Sequence, residues 1–124
     1  MKELKIRKSG IFYETFDEDA SILHYLFSYK IIDDRVAFPS NSLDKVLEII
    51  KENKINYVLI NKEGKQKEDF ESDNNYEEIL RRALNREKIE SYFLDIIPKL
   101  EALDEEVMTQ FLEELESKVN SFFS

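Results

Sequence analysis

The chain has 124 residues, enough for one domain with one core, and its 42% hydrophobic content is not that of a disordered chain. Cysteine is absent, which excludes disulfides and thiolate metal sites, and no apolar run approaches the roughly 20 residues of a transmembrane helix. The net charge of −9 is uneven: residues 1–60 carry 9 Lys/Arg against 10 Asp/Glu, and residues 61–124 carry 9 against 17. A phosphate backbone is therefore repelled at long range by all but the near-neutral first half.

Leu4 to Lys8 alternates apolar with charged residues and predicts a half-buried strand. Its lysines suit a solvated edge strand, or a small positive patch. Ser9-Gly10 predicts a turn, and Ile11 to Thr15 a second strand. Phe12 and Glu14, two apart, share one face of that strand. A core face would not take the glutamate, so that face is open and Phe12 is available for recognition. Thr15 and Glu18 have the spacing of a capping box for a helix carrying Phe16, Ala20, Leu23 and Phe27 on one side. Tyr29–Ile32 and Arg35–Phe38 predict two short strands around an Asp33-Asp34 turn. Pro39 to Ser42 predicts a loop that caps a helix with Leu43, Val46, Leu47 and Ile50 inward. Ile55 to Ile60 is the strongest strand and is expected at the centre of a sheet. Lys62 to Lys65 predicts a hairpin turn into a polar edge strand, Gln66 to Phe70.

The pattern is helical from about Tyr76 onward. Tyr76, Ile79, Leu80, Ala83 and Leu84 form one stripe, and Ile89, Phe93, Ile96 and Leu100 another, out of phase. A break is expected between them, at Asn85 to Lys88, and a second boundary at Pro98. Asp104 predicts the cap of a last helix with Met108, Phe111, Leu112, Leu115, Val119 and Phe122 inward. Adjacent Phe122 and Phe123 point about 100° apart, so one is expected to pack and the other to face a partner, for which a symmetric dimer is one arrangement. The expected fold class is α+β, a mixed β-sheet with packed helices over residues 1–73. An acidic helical extension, residues 74–124, is expected to pack on that unit within a single domain.

Signals for catalysis are weak. With two glycines, Gly10 and Gly64, neither a P-loop nor a dinucleotide fingerprint can be built. The one histidine, His24, sits beside an apolar helix face and predicts a boundary residue. No acidic pair has the spacing of a calcium loop. The expectation is a non-enzymatic protein with no cofactor and no metal. The N-terminus has no apolar segment of a secretory leader, so a cytoplasmic location without membrane association is expected.

Gly10-Ile-Phe-Tyr-Glu-Thr-Phe-Asp-Glu-Asp-Ala20 resembles the start of the mismatch-recognition domain of the DNA mismatch-repair protein MutS, which typically reads Gly-Asp-Phe-Tyr-Glu-Leu-Phe and then Asp-Ala. The likeness covers about residues 3–60 and continues in Arg35 to Pro39, in the helix from Ser42 to Asn53 and in Ile55 to Ile60. It implies that Phe12 stacks on a mispaired base from the minor groove and that Glu14 accepts a hydrogen bond from that base. Phosphate contacts would fall to Lys5, Arg7, Lys8 and Arg35. Ile11 departs from the usual acidic residue, the loop before Pro39 is short, and the clamp, connector and ATPase parts have no counterpart. Two functions follow as expectations. One is a small module that binds mismatched or distorted duplex DNA in support of repair. The other is a protein-interaction or regulatory module that keeps the fold without DNA binding, with its acidic helical tail turned to a protein partner.

Overall fold

A computed structural model describes residues 2–70 and 73–124. The chain divides into two compact units, residues 1–87 and 88–124.

In the first unit the chain order is β1 (Leu4–Ser9), β2 (Phe12–Phe16), α1 (Asp17–Phe27), β3 (Arg35–Pro39), α2 (Leu43–Glu52), β4 (Tyr57–Asn61) and β5 (Gly64–Glu68), followed by the first turns of α3 (Tyr76–Glu101). The five strands form one mixed sheet in the order β3-β2-β1-β4-β5. β1 runs antiparallel to β2 and parallel to β4; β2 with β3, and β4 with β5, are antiparallel. The α+β class with a mixed sheet thus follows the expectation, and the strands expected at Leu4 to Lys8, Ile11 to Thr15, Arg35 to Phe38 and Ile55 to Ile60 all contribute to the sheet. The strand with the alternating lysines is not an edge, however. β1 is central, and β4 stands between it and the edge strand β5.

One face of the sheet carries the core. Leu4 and Ile6 on β1, Val36 and Phe38 on β3, and Tyr57 on β4 are all fully buried. Against them pack Ala20, Ile22 and Leu23 of α1, Val46, Leu47 and Ile50 of α2, and Tyr76, Ile79 and Leu80 of α3. The predicted stripe of α2 is therefore the buried one. The division between units falls inside α3, beyond Asp73, because the first turns of that helix bury side chains in this core.

Several local expectations fail for identifiable reasons. Thr15 does not cap α1: it lies in β2 with its side chain buried, and the N-cap position is Phe16, which offers no side-chain acceptor. Phe16 accordingly belongs to the sheet, not to the helical stripe. Tyr29 to Ile31 form no strand; only Ile32 bridges to Arg35, closing a turn in which Asp33 and Asp34 both have positive φ. Tyr29 instead stacks its ring on Phe27 and Phe38, with centroids 5.4 and 5.9 Å away. No break occurs at Asn85 to Lys88, and Pro98 lies within α3. A proline there removes one hydrogen-bond donor close to the helix end, where few bonds remain to be lost.

The second unit holds the rest of α3 and α4 (Glu105–Ser121). Asp104 caps α4 as expected, its Oδ1 accepting the Val107 N–H at 2.9 Å. No residue from Leu84 to Ser124 is buried. Phe122 and Phe123 are 77% and 85% exposed, so neither packs internally as one of them was expected to. Among the described residues no helix is long and apolar enough to cross a membrane.

Candidate nucleic-acid interface

The β1–β2 hairpin is closed by Gly10 and Ile11, with Ser9 paired to Phe12. Gly10 has φ +61, the conformation a two-residue hairpin loop asks of its first central residue. A Cβ at Gly10 would meet nothing within 4 Å, so the demand for glycine is conformational rather than spatial. The loop presents Ile11, 73% exposed, and beside it Phe12, 43% exposed. Two apolar side chains thus stand at the tip of a hairpin instead of in the core.

The register assigns neighbours to Phe12 on the side of the sheet away from the core. Phe12, Glu14 and Phe16 share that face of β2, since Tyr13 and Thr15 between them are buried. Arg7 lies opposite Glu14, and Ile60 opposite Arg7. Lys65 pairs with Ile60 and Lys67 with Val58, while Lys5 stands beside Val58 on the other flank. Arg35 is opposite Phe16. Strand positions on this face therefore include five cations, Lys5, Arg7, Arg35, Lys65 and Lys67, and one carboxylate, Glu14. These cations have carboxylates close by: Glu3 lies 3.9 Å from Lys67, and Glu3, Asp17, Glu18 and Asp19 line the same groove as Lys5 and Arg7. The face is not uniformly open, for Val58 is only 2% exposed.

Not every predicted contact residue is equally free. Glu14 is held by Arg35, whose Nη1 donates to Oε1 at 3.0 Å, and the Glu14 side chain is 17% exposed. Arg35 is thereby committed to a carboxylate, and Glu14 meets a base only if this pair opens. Lys8 lies on the opposite side of β1, with Nζ 4.8 Å from the centre of the Tyr13 ring. It still reaches the hairpin end, lining with Gly10, Tyr13 and Lys62 a hollow of about 420 Å³. Lys5 and Arg7 share Phe12's side of the sheet and line, with Phe16, Glu3, Asp17, Glu18 and Asp19, a groove of about 570 Å³ in which carboxylates outnumber cations.

Phe16, Lys62, Lys65 and Lys67 were missed from sequence. Lys65 and Lys67 share a face because β5 begins at Gly64, earlier than the expected strand Gln66 to Phe70, which left Lys65 in the turn. Phe16 was hidden because its spacing to Ala20 and Leu23 fits a helix equally well.

Asp19 and Ala20, the far end of the motif, support the site from behind. Ala20 is fully buried in the core. Asp19 Oδ2 accepts the backbone N–H of Lys5 at 3.1 Å, and Oδ1 accepts the Tyr76 hydroxyl at 2.6 Å. One carboxylate thus joins α1, β1 and α3. Burial pushes the Asp19 carboxyl above the usual aspartate range, although both hydrogen bonds oppose that rise. Burial and the same carboxylate drive the Tyr76 hydroxyl far above its ordinary value, so Tyr76 remains a neutral donor. His24 is likewise structural: its Nδ1–H donates to the Tyr29 carbonyl at 2.7 Å.

Comparison with known proteins adds no neighbour: no family model, no curated protein and no solved structure matches the chain.

Proposed function

We propose that the first unit is a non-enzymatic nucleic-acid-binding module that uses the β1–β2 hairpin tip to recognise mismatched or otherwise distorted duplex DNA. The observation that carries this reading is Phe12, 43% exposed beside Ile11 at the tip of a hairpin, with Arg7 on the same face and Lys8 and Lys62 at the same end of the sheet. An apolar wedge enters a duplex by unstacking a base step, which costs least where pairing is already weak. The cations offset the approach of phosphates that the remainder of the chain repels. The resemblance of Gly10 to Ala20 to the MutS mismatch-recognition segment supports the same assignment. On this reading Glu14 exchanges its bond to Arg35 for a base N–H when a mispaired base arrives, and the released Arg35 turns to phosphate.

Fluorescence anisotropy at low salt, with matched and mismatched duplexes of equal length, tests the proposal. The mismatched duplex should bind more tightly, and log affinity should fall with log salt at a slope of about −3 to −4, for about four neutralised phosphates. Phe12→Ala should abolish the preference, since a stacking contact is worth roughly 1–3 kcal/mol. Because Phe12 lies outside the core, the melting temperature of that variant should stay close to wild type. No binding to either duplex at low salt would overturn the proposal and leave a protein-interaction role for this face.

A further inference from the structure

The helical unit, residues 88–124, is amphipathic, and its own two helices bury none of its side chains. On α4, Met108, Phe111, Leu112, Leu115 and Val119 fall within an arc of about 100°. On the final turns of α3, Ile89, Tyr92, Phe93, Ile96 and Leu100 do the same. Eight of these ten side chains are between 38% and 60% exposed. At roughly 150–250 Å² for a large side chain, about half of it open, they present on the order of 800 Å². That exceeds the largest apolar patch of an ordinary monomer, about 300–600 Å², and matches the roughly 800 Å² each partner contributes to a stable interface. Two helices with one apolar stripe each cannot close a core between them; four can.

The distribution of charge indicates what completes the set. The unit has three lysines against nine carboxylates, and a like-charged copy would be repelled if these lined the stripes. They do not. All five glutamates of α4 fall outside its apolar arc. Lys118 lies about 20° beyond one edge of that arc, and Glu105 and Glu116 about 20–40° beyond the other. On α3, Lys88 and Lys99 stand beside one edge of the stripe together with Asp95, which accepts from Lys99 Nζ at 3.1 Å, and Glu90 lies beyond the opposite edge. The stripes themselves carry no charge, so a second copy can cover them without burying an unpaired carboxylate.

We propose that residues 88–124 are a homodimerisation module in which the two helices of one chain and the two of a second copy close a four-helix bundle. Its argument is independent of nucleic-acid binding; its consequence would be two hairpin tips per particle, and hence avidity for one duplex.

Light scattering coupled to size exclusion tests this on the full chain. Wild type should have twice the 14.8 kDa mass of one chain. Phe93→Glu with Leu115→Glu, which places charges in both stripes, should halve the mass. Glu113→Lys, on the outer side of α4, should leave the dimer intact. A wild-type monomer at all concentrations, a dimer that survives the double variant, or loss of the dimer in Glu113→Lys would each overturn the proposal. Because the natural chain has no cysteine, a single introduced one gives a second reading. Ile96→Cys should cross-link two chains on oxidation, and Glu106→Cys should not; the reverse would also overturn it.

Discussion

α2 and α4 are built on the same rule and end in opposite states. In α2, Val46, Leu47 and Ile50 recur at helical spacing and are 1%, 8% and 0% exposed against the sheet. In α4, Phe111, Leu115 and Val119 recur at the same kind of spacing and are 38%, 43% and 44% exposed. Periodicity tells which side of a helix is apolar; it does not tell what will cover that side. In the first unit the cover is a five-stranded sheet of the same chain. In the second, nothing within residues 88–124 buries the stripe. The same contrast separates the two kinds of phenylalanine on the sheet: Phe38 is fully buried among stacked Tyr13 and Tyr29, while Phe12 on the other face is 43% exposed.

The contrast is broken most sharply by truncating one aromatic in each unit. Phe38→Ala should cost about 3–5 kcal/mol, the range for a large aromatic removed from a packed core. Urea unfolding should show that loss at every protein concentration. Phe93→Ala, at a side chain 60% exposed, should cost far less in dilute solution. Its effect should appear as a shift in the concentration dependence of melting, because a dimer's stability is inseparable from concentration. Equal losses for the two variants, independent of concentration, would show that the helical unit carries a core of its own.

Tyr76 sharpens the comparison from within α3, since it marks where that helix is still bound to the sheet. Tyr76→Phe keeps the packing and removes the donor to Asp19 Oδ1, leaving a buried carboxylate one partner short. The expected loss is about 1–3 kcal/mol in urea unfolding. A pH dependence accompanies it. Burial raises the folded-state affinity of Asp19 for its proton above that of the unfolded chain. Below the unfolded value this contribution to stability is complete; it is lost as pH rises through the folded one. The stability of wild type should therefore decline relative to Asp19→Asn as pH rises from the ordinary aspartate range toward neutrality. Tyr76→Phe should decline more steeply still, because the bond it loses was holding the Asp19 carboxyl down. A difference between wild type and Asp19→Asn that is flat in pH would remove the argument.

Much of the first unit was legible because its signals are local. Alternation marked β1, a three- and four-residue period marked α2, and the Phe12–Glu14 pair marked the side of β2 that faces away from the core. What was not legible depends on pairing. Nothing in Leu4 to Lys8 says that β1 has neighbours on both sides; the lysines of a central strand and of an edge strand look alike when one face is solvated. Phe16 and Thr15 sit at a strand–helix junction where a capping box and a strand end share one pattern, and burial of Thr15 decided it. Lys62 and Lys65 join the candidate site only through the parallel pairing of β1 with β4, which brings the β4–β5 turn beside the β1–β2 hairpin. Charge partners such as Arg35 with Glu14, 21 residues apart, are likewise a product of register.

The smallest expected effect concerns a buried hydroxyl in the well-packed unit. Thr15 is fully buried, and its Oγ1 is without a hydrogen-bond partner, unlike the paired Asp19 nearby in the chain. A buried hydroxyl with no acceptor costs free energy that an apolar group of the same shape does not. Valine replaces that hydroxyl with a methyl group, keeps the β-branch, and favours a strand. Thr15→Val should therefore leave the fold intact and stabilise it by up to about 1 kcal/mol, where most core substitutions destabilise. Differential scanning calorimetry should record a small rise in melting temperature. A fall would mean that the hydroxyl is bonded in solution, and that the strand–helix junction behind Phe16 is held by Thr15 after all.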